Sequence, residues 1–240
     1  MAQFVLVHGA WHAGWCWEKV VPRLEDRGHA AEVVDLPSHG ANPGAKSTVD
    51  LDDYAQHVAE TVRAQSAKPI LVGHSMGGAV ISQAAELAFD ALHSLVYVCA
   101  FLPRNGERLF DYAGRDEDAL VLRNMQIGEG DASTIPAEAA REVFYGACSD
   151  ADAAAAIERL EGQGRRPLDK PLTLTSERFG SVPKRYVRCT EDRAISIAMQ
   201  DEMRANWPMQ KVLTLDTDHS PFYSAVSALA DILIDAAEAE

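Results

Sequence analysis

Ser75 stands between Gly73 and Gly77 in "ILVGHSMGGAV". A serine hydroxyl is a weak nucleophile until a base takes its proton; it can then attack a carbonyl and carry the acyl group covalently. The G-x-S-x-G spacing follows a short apolar run and precedes alanine-rich helical sequence, the pattern of a nucleophile elbow. As a bare pattern it carries little. On a strand-turn-helix it is specific, because the tight turn leaves no room for side chains beside the serine. The bland alternative is a glycine turn capped by a serine.

The base must come from eight histidines. His219, in "LDTDHSPF", follows the last apolar run and precedes the last helical stretch, which places it at the same sheet edge as Ser75. His74 adjoins Ser75, but neighbours on a tight turn point apart, so it reads as supporting structure. The base needs a carboxylate to fix its tautomer. Asp192, in "RCTEDRAIS", follows "KRYVRC" and satisfies the chain order nucleophile, acid, base. Glu191, Asp216 and Asp218 compete with it, and Asp192 could instead cap the following helix. An oxyanion would need two backbone donors: the N–H of Met76, next after the nucleophile, and one from the loop after the first strand. In that loop, "HGAWHAGW", Gly9 and Ala10 let a carbonyl approach, and Ala10 N–H is the second donor. His12 falls at the pocket wall or in ordinary packing.

These groups need a scaffold that gathers strand ends. Apolar runs at 4–8, 31–36, 69–74, 93–101, 184–189 and 211–216 read as six strands. Helical patterns at 14–29, 49–65, 76–88, 194–207 and 221–240 alternate with them, with Pro22 bending the first. The alternation predicts an α/β fold, a mostly parallel six-stranded sheet with helices on both faces. Ligands of such sheets bind at the carboxyl ends of the strands. From Pro103 to about 180 no apolar strand appears, only charged, helix-prone pieces. Residues 1–102 and 181–240 therefore read as the core and 103–180 as a helical cap. Its apolar candidates for the pocket are Leu109, Phe110, Tyr112, Leu120, Met125, Phe144 and Tyr145, each of which serves equally well as cap core.

The bulk numbers bound the partners. At 240 residues with 47% hydrophobic and 24% charged residues, the chain is an ordinary globular domain. Its net charge of −14 argues against nucleic acid or an anionic membrane. No apolar run approaches the roughly 18 residues of a membrane span. "MAQFVLVHGAW" shows no basic leader or cleavage site, so a cytoplasmic protein is expected. Cys16, Cys99, Cys148 and Cys189 lack metal or C-x-x-C spacing and read as reduced, buried thiols. No metal and no cofactor is implied.

"FVLVHGAWHAGWCWEKVVPRLEDRGHAAEVVDLPSHG", "PILVGHSMGGAVISQAAE", "SLVYVCAFLPRNGE" and "DHSPFYS" together resemble the α/β-hydrolases of the hydroxynitrile lyase and plant methylesterase type. The resemblance implies a compact α/β-hydrolase fold opening at what is usually the third strand, a helical cap, and a cofactor-free Ser75-His219-Asp192 triad. It fades in the cap, where residues 103–180 contain no tryptophan to match the family's pocket tryptophan. Lyase members carry a threonine in the oxyanion loop and a lysine after the catalytic histidine. Here those positions are Ala10 and Ser220, and a neutral serine offers no charge to a departing cyanide. The expected activity is therefore hydrolysis of small to medium apolar or aromatic carboxylic esters. The alternatives are a cyanohydrin-type C–C lyase and a hydrolase-like binding protein with little turnover. A small-molecule ester is the expected partner, and the cap surface is compatible with a homodimer.

Overall fold

The computed structural model describes residues 1–238. Six strands form one sheet: β1 (Gln3–Val7), β2 (Ala30–Val34), β3 (Ile70–His74), β4 (Ser94–Val98), β5 (Lys184–Cys189) and β6 (Lys211–Leu215). Every pairing is parallel, in the order β2-β1-β3-β4-β5-β6. A parallel sheet is covered on both faces, which is why its central strands read as unbroken apolar runs. Phe4 to Val7, Ile70 to His74 and Ser94 to Val98 are all buried. The fold expected from the alternating pattern is the fold observed.

Helix Leu51–Ala64 packs beside helix Gly77–Ala88. Its buried residues Leu51, Tyr54, Ala55, Val58, Ala59 and Val62 follow the three- and four-residue spacing of one helix face. Asp50 starts it: its carboxylate accepts from the Asp52 and Asp53 N–H groups, while Asp53 accepts from Asp50 N–H at 2.8 Å. This reciprocal capping satisfies donors that the first turn would otherwise leave unpaired.

Two expected helices are broken. The run 14–29 is a 3-10 turn, Gly14–Trp17, followed by a short α-helix, Val21–Glu25. Pro22 has no N–H and its ring collides with the preceding turn, so it is accommodated only in the first turn of a new helix. The run 221–240 divides at Ala225 into Pro221–Ser224 and Val226–Glu238, and its last two residues lie outside those described. The strand expected at 93–101 ends at Val98, because Cys99 takes a positive φ of 35°.

The segment after β4 carries short helices, among them Leu109–Ala113, Ala137–Phe144 and Asp150–Ile157. It also holds three strands absent from the sequence reading: Gln126–Ile127, Ala132–Thr134 and Gln163–Gly164, paired antiparallel. At two or three residues each they are too short for an alternating pattern to show. Ion pairs Lys19–Asp152 at 2.5 Å and Glu18–Arg159 at 2.8 Å join this segment to the loop after β1. All four cysteines are buried and unpaired.

The elbow is also tightly packed. A Cβ placed on Gly78 would lie 2.3 Å from the Phe101 carbonyl oxygen and 2.7 Å from the Ala100 Cβ. Gly78→Ala is therefore expected to destabilise the fold by about 2–3 kcal/mol, the cost of overpacking a closed core. Urea unfolding followed by tryptophan fluorescence measures it, and an unchanged midpoint would contradict the tight approach of these backbones.

Candidate active site

Ser75 follows β3 directly and has φ of +54°. A side chain in the left-handed region is strained and persists only where the surroundings hold it. Here the serine carbonyl accepts from both Gly78 N–H and Phe101 N–H at 3.0 Å, and its own N–H donates to the Val98 carbonyl. A Cβ on Gly73 would meet the Gly77 carbonyl oxygen at 2.6 Å, and one on Gly77 would meet the His8 oxygen at 2.8 Å. The glycines of the motif are thus required by close backbone packing. Gly9 obeys the same logic: a Cβ there would lie 2.7 Å from the Ser75 Cβ.

His219 follows β6 and Asp192 follows β5, so strand ends deliver both to the rim that carries Ser75. His219 Nδ1–H donates to Asp192 Oδ2 at 2.7 Å, with both residues buried. That bond leaves Nε2 with its lone pair free to take a proton. Asp192 Oδ1 accepts from Ala194 N–H at 2.7 Å and Ile195 N–H at 2.9 Å, and Gln200 Nε2 donates to its Oδ2 at 3.2 Å. The carboxylate is therefore held in place on both oxygens. It does not cap the following helix, Ile197–Arg204, whose cap is Ser196. Two of the competing carboxylates are engaged elsewhere. Asp218 accepts from Ala147 N–H, Ser220 N–H and Ser224 Oγ, and Asp216 from Thr190 Oγ1.

His74 Nε2–H donates to the His219 carbonyl at 2.7 Å, which holds residue 219 from behind. Burial drives the His74 pKa well below the ordinary range, so this ring stays neutral. Among the described residues Ser75 Oγ and His219 Nε2 are not hydrogen-bonded in this state. Such bonds are often long in a free enzyme and tighten with substrate. The N–H groups of Ala10 and Met76 have no acceptor among the described residues, and both residues line the cavity above Ser75. That leaves two donors available to a developing oxyanion. The Gly9 carbonyl, in the same peptide unit as Ala10 N–H, accepts from His8 Nδ1–H at 2.8 Å. Ser220, beside His219, is buried and its hydroxyl has no partner among the described residues.

The cavity is lined by Ala10, Trp11, Ser75, Met76, Phe101, Leu109, Phe110, Ala113, Ala119, Val121, Leu122, Leu168, Ala194 and Ile195, none of them charged. Leu109 and Phe110 are the cap residues named from sequence that reach it. Tyr112 faces away: its hydroxyl accepts from Asn206 Nδ2 at 2.9 Å and its ring lies under Arg115. Leu120 and Met125 pack against the core outside the lining. Phe144 is packed behind the site, its ring 5.7 Å from that of His219 and 5.9 Å from that of Trp11. His12 and Tyr145 lie under the oxyanion loop rather than on the cavity wall. Sequence reading missed Trp11, Phe101, Ala113, Ala119, Val121, Leu122, Leu168, Ala194 and Ile195. A signal was present for Trp11, next to Ala10, and for Ala194 and Ile195, two and three positions after Asp192.

One trio, His74, Cys99 and His219, brings potential metal-ligand atoms within 4.8 Å of one another. His219 Nδ1 and His74 Nε2 are committed to hydrogen bonds, and burial pushes the Cys99 thiol up, away from the thiolate a metal needs. No helix among the described residues is long and apolar enough to cross a membrane.

Residues 4–232 match the family model described as the alpha/beta hydrolase family, so the chain belongs to that family. Within it, the methylesterase-like enzymes stand nearby. The chain is 30% identical over 250 residues to methylesterase 7 of Arabidopsis thaliana, covering 98% of this chain and 96% of that protein. It is 30% identical over 249 residues to a pyrethroid hydrolase of Sphingobium wenxiniae, covering 100% of this chain and 89% of the relative. Among solved structures, a pyrethroid hydrolase from Sphingobium faniae superposes with a TM-score of 0.89 at 29% identity, covering 99% and 98% of the two chains. A methylesterase from Arabidopsis gives 0.85 at 26%, covering 99% of each. The chain is an enzyme of the carboxylic ester hydrolase class.

Proposed function

We propose that the protein is a serine carboxylesterase acting through an acyl-enzyme on small to medium, uncharged, apolar or aromatic esters. The observation that carries this reading is the uncharged apolar cavity above Ser75, with Ala10 and Met76 N–H groups unengaged at its floor. Ser75 Oγ attacks the ester carbonyl carbon while its proton passes to His219 Nε2. Asp192 stabilises the resulting imidazolium through Nδ1–H. The Ala10 and Met76 N–H groups hold the oxyanion, a contribution of roughly 3 kcal/mol per donor in serine hydrolases. Collapse of the intermediate expels the alkoxide, which takes the proton from His219. Water, deprotonated by the same ring, then releases the acid and regenerates Ser75. The relatives named methylesterase and pyrethroid hydrolase support an ester as the substrate.

A charged acyl group would enter this cavity without a partner, and burying an unpaired carboxylate costs several kcal/mol. p-Nitrophenyl butyrate is therefore expected to exceed p-nitrophenyl hemisuccinate in kcat/KM by at least about 100-fold. Equal values for the two esters would remove the apolar-ester reading.

A further inference from the structure

The oxyanion loop is fastened to the cap by groups that the hydrolytic steps do not use. Tyr145, at the end of cap helix Ala137–Phe144, lies with its hydroxyl 2.8 Å from His12 Nε2. The other nitrogen, His12 Nδ1, lies 2.8 Å from the Ala10 carbonyl oxygen. A carbonyl only accepts, so Nδ1 carries the proton and Nε2 must accept from the tyrosine. Burial holds His12 down to about 3, so the ring keeps this single proton at working pH. Tyr145 O–H, the imidazole and the Ala10 carbonyl thus form one directed chain from cap to loop. Both residues are buried, and His12 is boxed in by the rings of Trp15, His74, Phe144 and Phe222.

The carbonyl so held belongs to the oxyanion residue itself. Peptide units are planar. Ala10 therefore sits between two planes: one carries its N–H and is tied at the Gly9 oxygen by His8, and the other carries its carbonyl and is tied by His12. The next residue, Trp11, is strained at φ +62°. The cap holds it there: Glu161 N–H donates to the Trp11 carbonyl at 2.8 Å, and the Trp11 indole N–H donates to the Ser133 carbonyl at 3.1 Å. Without these ties the loop could relax and its donor would drift.

We infer that Tyr145 is a positioning residue which, through His12, sets the Ala10 N–H against the developing oxyanion, so that a seated cap completes the oxyanion hole. The inference rests on the esterase reading above. Tyr145→Phe keeps the ring and deletes only the hydroxyl. With p-nitrophenyl butyrate it is expected to lower kcat about ten-fold while KM stays within about two-fold, the signature of an interaction made in the transition state. The Ki of a trifluoromethyl ketone, which mimics the oxyanion, should rise by the same factor as kcat/KM falls. His12→Asn, which keeps an N–H donor near the position of Nδ1, should retain more kcat than His12→Leu. Unchanged kcat and Ki in Tyr145→Phe would overturn the inference. So would a lowered melting temperature with unchanged kcat per folded enzyme, or a loss confined to KM. Ser75→Ala run in parallel separates the cases: turnover persisting there removes the esterase reading itself, whereas a dead Ser75→Ala beside an unaltered Tyr145→Phe removes only the role of Tyr145.

Discussion

Ser75→Ala is expected to lower kcat for p-nitrophenyl esters by on the order of 10⁵- to 10⁶-fold, the loss seen when a serine hydrolase is deprived of its nucleophile. The variant should fold as well as the parent. Alanine at position 75 keeps the Cβ at the same φ of +54°, so the backbone strain is unchanged. The hydroxyl makes no hydrogen bond that the elbow depends on; the bonds holding the turn run through the serine backbone. Residual rate would come from the Ala10 and Met76 donors and from binding in the cavity. Burst kinetics and covalent labelling by a fluorophosphonate read the same group independently. A variant that still shows a burst would place the nucleophile elsewhere.

The second large effect is acid lability. Burial, first among the causes, holds His8 and His12 down to about 3 and His39 to about 4. In the unfolded chain each returns to about 6.5. Between these values the unfolded state binds protons that the folded state refuses, so stability rises with pH across that window and is complete above it. At pH 5 each ring costs the fold about 2 kcal/mol relative to neutral pH, and the three together about 6 kcal/mol. His74, displaced in the same direction, adds to this. The sum is comparable to the whole stability of an ordinary domain. Urea midpoints at pH 7.5 and 5.0 should therefore differ sharply, with refolding on neutralisation. A flat profile between them would mean that water reaches these rings.

The candidate triad was legible because its residues sit at chain landmarks. Ser75 lies on a strand-to-helix glycine turn, Asp192 and His219 each lie in the loop that follows a strand, and a parallel sheet must bring such ends to one edge. Local composition also marked the scaffold, since strands covered on both faces are apolar throughout and helix Leu51–Ala64 is apolar along one face only. Pro22 was visible as well, but whether it bends a helix or begins a new one depends on what packs around it.

The cap escaped this reading for a physical reason. Its strands are two or three residues long, and its aromatics are apolar whether they meet a ligand or each other. Tyr112 and Phe110 are two residues apart in one short helix. Only tertiary packing sends Tyr112 to Asn206 and Phe110 to the cavity. The same holds for His12: nothing in its neighbours along the chain shows that its ring will join Tyr145, 133 positions later, to the Ala10 carbonyl. The order of residues thus determined where the candidate triad lies, because backbone periodicity and turn geometry act over a few positions. The pocket wall and the loop's bracing were decided by contacts between segments far apart in the chain, which no local pattern encodes.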